Sequence, residues 1–315
     1  MDFQVNWLQR STKMQIGIDL GGTKIESVVL NDKGEVLYRE REESPHNYQE
    51  TLDSINLIVE KIEKKFNKKL NVGVCHPGSS SAENGFINNA HNSPWLNDKN
   101  FNLDISNKLN KNVLCENDAN CFALSEAFDG SAQRYKIVFG IILGSGCGGG
   151  LIINKKIVAG PNNLAGEWGH NFLPFLGTLK DEQVNTNDKY KMTIENYLSG
   201  KGLERLFLKT HNSKISTQEI FKNAINKKDK KCAEFIERFK DRLARSLSLL
   251  INTIDPDAIV FGGGVSNEIT FLDEIKKTTE KWLNEKLINT IFLKPKYGDA
   301  SGVRGAAWLG KKLLY

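Results

Sequence analysis

Asp19-Leu20-Gly21-Gly22-Thr23-Lys24 puts a carboxylate, backbone N–H groups, a hydroxyl and an ammonium on one short stretch. That set suits a Mg²⁺-bound polyphosphate. The GxxxxGK[ST] spacing is absent, and an ordinary hairpin turn fits the same residues. A second stretch, Gly144-Ser145-Gly146-Cys147-Gly148-Gly149-Gly150, carries five glycines between two apolar runs. A hairpin needs positive φ at two residues, and each further glycine costs conformational entropy. The excess predicts that something approaches this backbone closely. A nest of N–H groups for a phosphate is one such reading, a flexible connection the other. Two glycine turns in separate halves of the chain fit a nucleotide gripped from both sides.

Asn117-Asp118-Ala119-Asn120 lies where a short strand meets a helix. Asp118 either caps that helix or serves as a general base, since a hydroxyl loses its proton as phosphoryl transfer proceeds. Gly166-Glu167-Trp168-Gly169-His170, with Glu195 further on, groups carboxylates with an imidazole. Such groups suit hydrogen bonding to vicinal hydroxyls of a sugar, although a lone His more often serves structure. Gly262-Gly263-Gly264 follows a buried-type strand and reads either as a strand-to-helix turn or as a close approach to a flat ligand such as adenosine.

The elements that must position these residues follow from hydrophobic periodicity. Met14–Leu20, Ile25–Leu30 and Glu35–Arg39 read as a strand meander, with a turn at Asn31-Asp32-Lys33-Gly34. Tyr48–Phe66 reads as an amphipathic helix with Leu52, Ile55, Val59, Ile62 and Phe66 on one face. Leu70–Cys75, stopped by His76-Pro77-Gly78, and Val113–Glu116 read as strands, and Cys121–Phe128 as a helix. Ile137–Leu143 and Leu151–Ile153 flank the glycine stretch. Residues 171–192 read as a long loop. Thr193–Phe207 reads as a helix interrupted at Ser199–Gly202, Thr217–Asn226 as a short helix and Ala233–Ile254 as the longest one, broken by Asp255-Pro256-Asp257. Strand Ala258–Phe261, helix Leu272–Leu283, strand Ile291–Leu293 and helix Val303–Leu314 complete the reading. Each half begins with a glycine-bearing strand turn, which predicts two similar α/β domains with a cleft between them.

The chain has 315 residues, 39% hydrophobic and 26% charged, as a soluble protein of two ordinary domains would. No apolar run is long enough to span a bilayer, and the N-terminus has no basic, apolar leader, so a cytoplasmic protein without membrane partners is expected. Five cysteines, an odd number without CxxC, fit a reducing compartment. The net charge of +5 comes mostly from lysine. The runs Lys61–Lys69 and Lys227–Lys231 read as solvated faces rather than a nucleic-acid site.

In combination these motifs resemble those of the ROK family of sugar kinases, within the actin-like ATPase superfamily, and most of all the bacterial fructokinase/mannokinase group. The likeness runs from Met14 to about Leu309. It rests on Ile18 to Lys24, Glu116 to Asn120, Gly144 to Gly150, Ala165 to His170, Val260 to Gly264 and Ser301 to Ala307.

The resemblance implies an α/β protein of two actin-like (ribonuclease H-like) domains, residues 14–117 plus 298–315 and residues 118–297. Residues 1–13 form an extension, and the active site lies in the interdomain cleft. By family role Asp118 is the base. Asn117, Glu167, His170 and Glu195 bind the sugar, and Asn92, in Asn92-Ser93-Pro94-Trp95-Leu96-Asn97, joins them. Gly21, Gly22, Thr23 and Lys24 hold the phosphates of ATP together with Gly144, Ser145, Gly146, Cys147 and Gly148. Gly262, Gly263 and Gly264 flank adenosine, and Asp19 stands near Mg²⁺ through water. A homodimer is expected on the same ground.

Two departures stand out. The family pattern places three cysteines after the GH, where they bind a structural zinc with the His. Here Val184 to Glu195 contains none, so no structural zinc is expected. Cys75-His76-Pro77-Gly78 stands where the family often has Gly-Ile-Pro-Gly. The expected activity is ATP-dependent phosphorylation of a hexose at its 6-hydroxyl, fructose first, with mannose, glucose or an N-acetylhexosamine as alternatives. A sugar-responsive repressor would need an N-terminal helix-turn-helix domain. A non-catalytic sugar-binding protein would not need Asp118 and both phosphate turns.

Overall fold

The computed structural model describes residues 13–175, 192–226, 229–283 and 287–311. Expectations that fall on residues 1–12, on most of the 171–192 loop, on Lys227 and on the end of the last helix lie outside the described residues. The chain divides into two compact units. Unit 1 comprises Met1–Cys121, Pro161–Asn163 and Ala300–Tyr315; unit 2 comprises Phe122–Gly160 and Leu164–Asp299. The division thus falls just inside the helix that begins at Asp118, and three residues of the second half join unit 1.

In unit 1, β1 (Met14–Leu20), β2 (Lys24–Asn31) and β3 (Val36–Glu43) form the antiparallel meander. Helix α1 (Tyr48–Phe66) follows, capped by Asn47, whose side chain accepts from the Gln49 and Glu50 N–H groups. Its apolar stripe, including Ile55, Val59 and Ile62, is buried with Ile16, Ile18, Val72 and Val74 in one core. Strand β4 (Asn71–His76) pairs parallel to β1. A short hairpin, β5 (Ser79–Ser80) and β6 (Ile87–Asn88), precedes α2 (Phe101–Leu109). Strand β7 (Val113–Asn117) pairs parallel to β4, giving the order β3-β2-β1-β4-β7, and runs directly into α3 (Asp118–Phe128).

Helix α2 escapes the sequence reading because only Phe101, Ile105 and Leu109 carry its buried face within an asparagine-rich segment. Strand β4 extends to His76, which is 1% exposed rather than a strand stop.

Unit 2 repeats the arrangement. Strands β8 (Ile137–Leu143), β9 (Cys147–Ile153) and β10 (Lys156–Ile157) form a meander. Among the described residues, helices α4 (Ile194–Leu198), α5 (Gly200–His211), α6 (Thr217–Ile225) and α7 (Lys230–Ile254) follow. The interrupted helix of the sequence reading is therefore two helices meeting at Ser199. That residue is extended (φ −74°, ψ 158°), and its side chain accepts from the Gly202 N–H. Asp255, in the left-handed region at φ 48°, ends α7 before Pro256. Strand β11 (Ala258–Gly262), α8 (Gly264–Glu268), α9 (Leu272–Leu283) and β12 (Ile291–Leu293) complete the unit. Its sheet order, β10-β9-β8-β11-β12, matches that of unit 1 position for position. The mixed α/β class and the actin-like architecture implied by the sequence are thus present, and the two glycine turns occupy the same place in the two sheets.

The last helix, α10 (Ser301–Lys311), returns to the sheet of unit 1. A Cβ at Gly17 would sit 2.2 Å from the Val303 carbonyl oxygen, and one at Gly73 would sit 2.0 Å from that of Ala306. Only glycine lets the helix backbone come this close to β1 and β4. Among the described residues no helix is long and apolar enough to cross a membrane.

Candidate active site

Strand register assembles the first cluster. Asp19 on β1 lies opposite Cys75 on β4, Cys75 opposite Glu116 on β7, and His76 opposite Asn117. Three parallel strands thus deliver Asp19, Cys75 and the Glu116–Asp118 segment to the carboxyl edge of the unit 1 sheet, where open α/β sheets bind ligands. The Asp19 carboxyl is pushed up to about 6, chiefly by burial. A hydrogen bond from the Cys75 thiol opposes this, the charges of Asp118 and Glu26 add to it, and Lys24 offsets it. The first turn of α10 closes over the same group: a Cβ at Gly302 would sit 2.7 Å from Asp19 Oδ2. The N-terminal end of that helix favours a negative charge there.

The turn between β1 and β2 is closed by the Gly21 N–H donating to the Lys24 carbonyl at 2.9 Å. Thr23 and Lys24 are exposed. A Cβ at Gly22 would sit 2.2 Å from the Asn92 carbonyl oxygen, so the turn and the exposed Asn92 come together in unit 1. The cap of α3 falls on Asn117, whose Oδ1 accepts from the Asn120 N–H at 2.8 Å. Asp118 is the first helical residue. It is exposed, and its Oδ1 accepts the Ala119 N–H at 2.8 Å. The choice between cap and base at Asp118 is thereby narrowed, because its neighbour does the capping.

A second cluster belongs to unit 2. None of the glycines from Gly144 to Gly150 has a positive φ, so conformational freedom in the turn does not explain them. Close approach explains two: a Cβ at Gly149 would sit 2.7 Å from the Gly166 carbonyl oxygen, and one at Gly146 would sit 2.9 Å from Glu195 Oε2. At Gly144 a Cβ would meet nothing within 4 Å, so no neighbouring protein atom demands glycine there. Glu195, half-buried on α4, accepts the Cys147 N–H at 2.9 Å. The glycine turn and a candidate sugar residue are therefore joined directly.

Glu167 Oε2 lies 3.4 Å from Nδ1 of the exposed His170. Burial raises the Glu167 carboxyl above its ordinary range, His170 opposes the rise, and the charge of Glu195 adds to it. Trp168, between them, is a support: it is 5% exposed and its indole N–H donates to the Gly148 carbonyl at 2.9 Å. At β11, a Cβ on Gly262 would clash with the Phe122 ring at 2.5 Å. Gly263 needs its φ of 88° beneath the Leu143 carbonyl. Only Gly264 has no neighbour within 4 Å, so packing against Phe122 and the strand-to-helix turn explain two of these three glycines.

Among the described residues no three His, Cys, Asp or Glu side chains cluster as a metal cage. Mg²⁺ does not require one, since it binds through one or two carboxylates plus substrate phosphates. Asp19 fits that role as a hard oxygen donor whose charge is disfavoured by burial and by neighbouring carboxylates. The sequence reading missed Cys75 and Gly302 as neighbours of Asp19. The motif Ser301 to Ala307 marked Gly302 without giving it a role.

The chain is similar over nearly its whole length to known proteins. The model of the ROK family matches residues 15–313. An N-acetyl-D-glucosamine kinase of Histophilus somni is 39% identical over 311 residues, covering 94% of this chain and 98% of the relative. One of Mannheimia succiniciproducens is 40% identical over 307 residues, covering 94% and 99%. Among solved structures, a ROK hexokinase from Thermus thermophilus aligns with a TM-score of 0.83 at 22% identity, covering 96% of this chain and 99% of that one. A ROK family glucokinase from Streptomyces griseus, in complex with glucose and AMPPNP, aligns at 0.72 with 26% identity, covering 95% and 99%. With nearly its whole length matched, the chain belongs to the ROK family.

Proposed function

We propose that this chain is an ATP-dependent hexose kinase that phosphorylates the 6-hydroxyl of N-acetylglucosamine. The observation that carries the kinase reading is the carboxyl-edge cluster: Asp118 exposed at the strand–helix junction, within electrostatic range of the half-buried Asp19. Two carboxylates in such different surroundings suit different tasks. Asp118 accepts the hydroxyl proton as the P–O bond forms. Asp19 is the residue for Mg²⁺, which when bound neutralises charge on the phosphates. The turns Gly21 to Lys24 and Gly144 to Gly148 hold those phosphates through N–H groups other than those of Gly21, Gly144 and Cys147, which already donate to Lys24, Gly146 and Glu195, and the segment Gly262 to Gly264 flanks the adenosine. Asn92, Asn117, Glu167, His170 and Glu195 hydrogen-bond the sugar, with Asn117 using its Nδ2 because Oδ1 serves the helix cap.

The choice of sugar departs from the fructose expectation. Both relatives at 39–40% identity carry the name N-acetyl-D-glucosamine kinase, and no sequence motif outweighs likeness across the whole chain. Epimers and amide-bearing hexoses are told apart by single polar contacts, worth factors of about 10⁴–10⁵ when a buried group would be left unpaired. An ADP-release assay over N-acetylglucosamine, N-acetylmannosamine, glucose, mannose and fructose tests the proposal. The highest kcat/KM is expected for N-acetylglucosamine. A higher value for fructose would return the assignment to that sugar, and no turnover on any hexose would refute the kinase reading.

A further inference from the structure

The family's zinc set does not fit this chain, because no cysteine lies between His170 and Glu195 to supply a thiolate. His170 and Glu195 nevertheless flank a long connection and must be held in register by something else. Two backbone hydrogen bonds join the described ends of that connection: Ile194 N–H to the Asn171 carbonyl at 2.8 Å and Leu173 N–H to the Met192 carbonyl at 2.9 Å. They form a one-bridge antiparallel ladder through Phe172 and Thr193. This ladder begins one residue after His170 and ends one residue before Glu195.

The ladder is pinned from outside by α7. Arg245, fully buried, donates from Nη1 to the Pro174 carbonyl at 2.8 Å and to the Phe175 carbonyl at 3.1 Å. Its Nε lies 3.2 Å from Asp241 Oδ2, and its guanidinium lies 5.6 Å from the centroid of the Trp282 ring. Trp282 in turn donates to Asp241 Oδ1 at 3.1 Å and stacks on Phe175 at 5.1 Å and 19°. Phe175 has a φ of 54°, a conformation that costs a bulky residue energy and persists only where the surroundings enforce it. Two carbonyl contacts and a ring stack supply that enforcement. A buried guanidinium with several partners is a rigid tie, and a lysine, as a single point charge, cannot reproduce its fork.

We propose that Arg245 is the positioning residue of the sugar site: through the Pro174 and Phe175 carbonyls it fixes the ladder that spaces His170 from Glu195, in place of a structural zinc. This rests on the sugar-binding role given to His170 and Glu195 above.

The test uses the full chain and the variants Arg245→Met, Arg245→Lys and Phe175→Ala. Displacing binding groups by an ångström costs up to about a hundredfold, so Arg245→Met is expected to raise the KM for N-acetylglucosamine about tenfold or more, with the KM for ATP within about twofold. Phe175→Ala, at an exposed side chain, is expected to change in the same direction by less, and Arg245→Lys to fall between wild type and Arg245→Met. Amide exchange at Leu173 and Ile194 is expected to quicken in the same order. That readout needs no turnover, so it tests the tie even if no hexose proves to be a substrate. If Arg245→Met fails to fold, Arg245→Lys and Phe175→Ala decide. Unchanged sugar KM and unchanged exchange in the folded variants would overturn the proposal. So would stoichiometric zinc in the purified protein whose removal raises the sugar KM.

Discussion

Replacing Glu195 tests how the glycine turn and the sugar residues are joined. Its carboxylate accepts the Cys147 N–H at 2.9 Å from half-buried surroundings. Hydrogen bonds to charged groups contribute about 1.5–3 kcal/mol, and neutral ones about 0.5–1.5. Glu195→Gln keeps an acceptor but loses the charge, a cost of about 1 kcal/mol, or about fivefold in affinity. Glu195→Ala leaves the Cys147 N–H without its partner and costs about 1–3 kcal/mol, or about 5- to 150-fold. Titration of ATP at saturating sugar, and of sugar at saturating ATP, with ADP release as the readout, separates the two sides. Both KM values are expected to rise in both variants, that for ATP in the order Gln then Ala. An ATP KM unchanged in both variants would refute the reasoning, since the contact would then not shape the turn. The same geometry sets the expected effect of bulk at Gly146. A Cβ there meets Glu195 Oε2 at 2.9 Å, so Gly146→Val is expected to harm sugar use along with ATP use.

Three further outcomes follow. Asp118→Asn is expected to lower kcat by a factor of about 10²–10⁴ while calorimetry still detects ATP binding; near-normal turnover would remove Asp118 as the base. Gly302→Ala places a Cβ 2.7 Å from Asp19 Oδ2 and is expected to lower kcat about tenfold by displacing that carboxylate, with the melting temperature little changed; unaltered kinetics would separate α10 from the chemistry. The Asp19 carboxyl stands at about 6 in the fold, against 3.8 ordinarily. Its protonated form is therefore favoured by folding: the contribution is fully present below pH about 4 and is lost as pH rises through about 6. Relative to wild type, Asp19→Asn should gain stability across that window, up to about 3 kcal/mol, in urea titrations without Mg²⁺; a pH-independent difference would contradict the raised Asp19 carboxyl.

The parts of the fold legible in the sequence are those written in local periodicity. Ile16, Ile18 and Leu20 alternate along β1, and the stripe from Leu52 to Phe66 repeats at helical spacing. The Asp19–Lys24 turn is legible because a strand ends there in glycine. Contacts that depend on register are not legible: Cys75 reaches Asp19 only because β1 and β4 pair in parallel at those residues. The excess of glycine from Gly144 to Gly150 signalled a close approach, but not by what: at Gly149 it is Gly166 and at Gly146 it is Glu195, both from elsewhere in the chain. Arg242 and Arg245 are fully buried in α7. Arginines in a helix read as a solvent face, because burying a guanidinium requires partners that only tertiary structure supplies. His76 read as a strand stop and is instead a buried strand residue whose ring lies 5.9 Å from that of Phe101, edge-on.

The most direct measurement is product analysis by phosphorus and proton NMR after incubation with ATP, Mg²⁺ and N-acetylglucosamine, for wild type and Asp118→Asn side by side. Wild type is expected to place a phosphate on the 6-hydroxyl, and Asp118→Asn to give no more than trace product. A phosphate on any other hydroxyl, no product with wild type, or equal product from both proteins would contradict the proposed function.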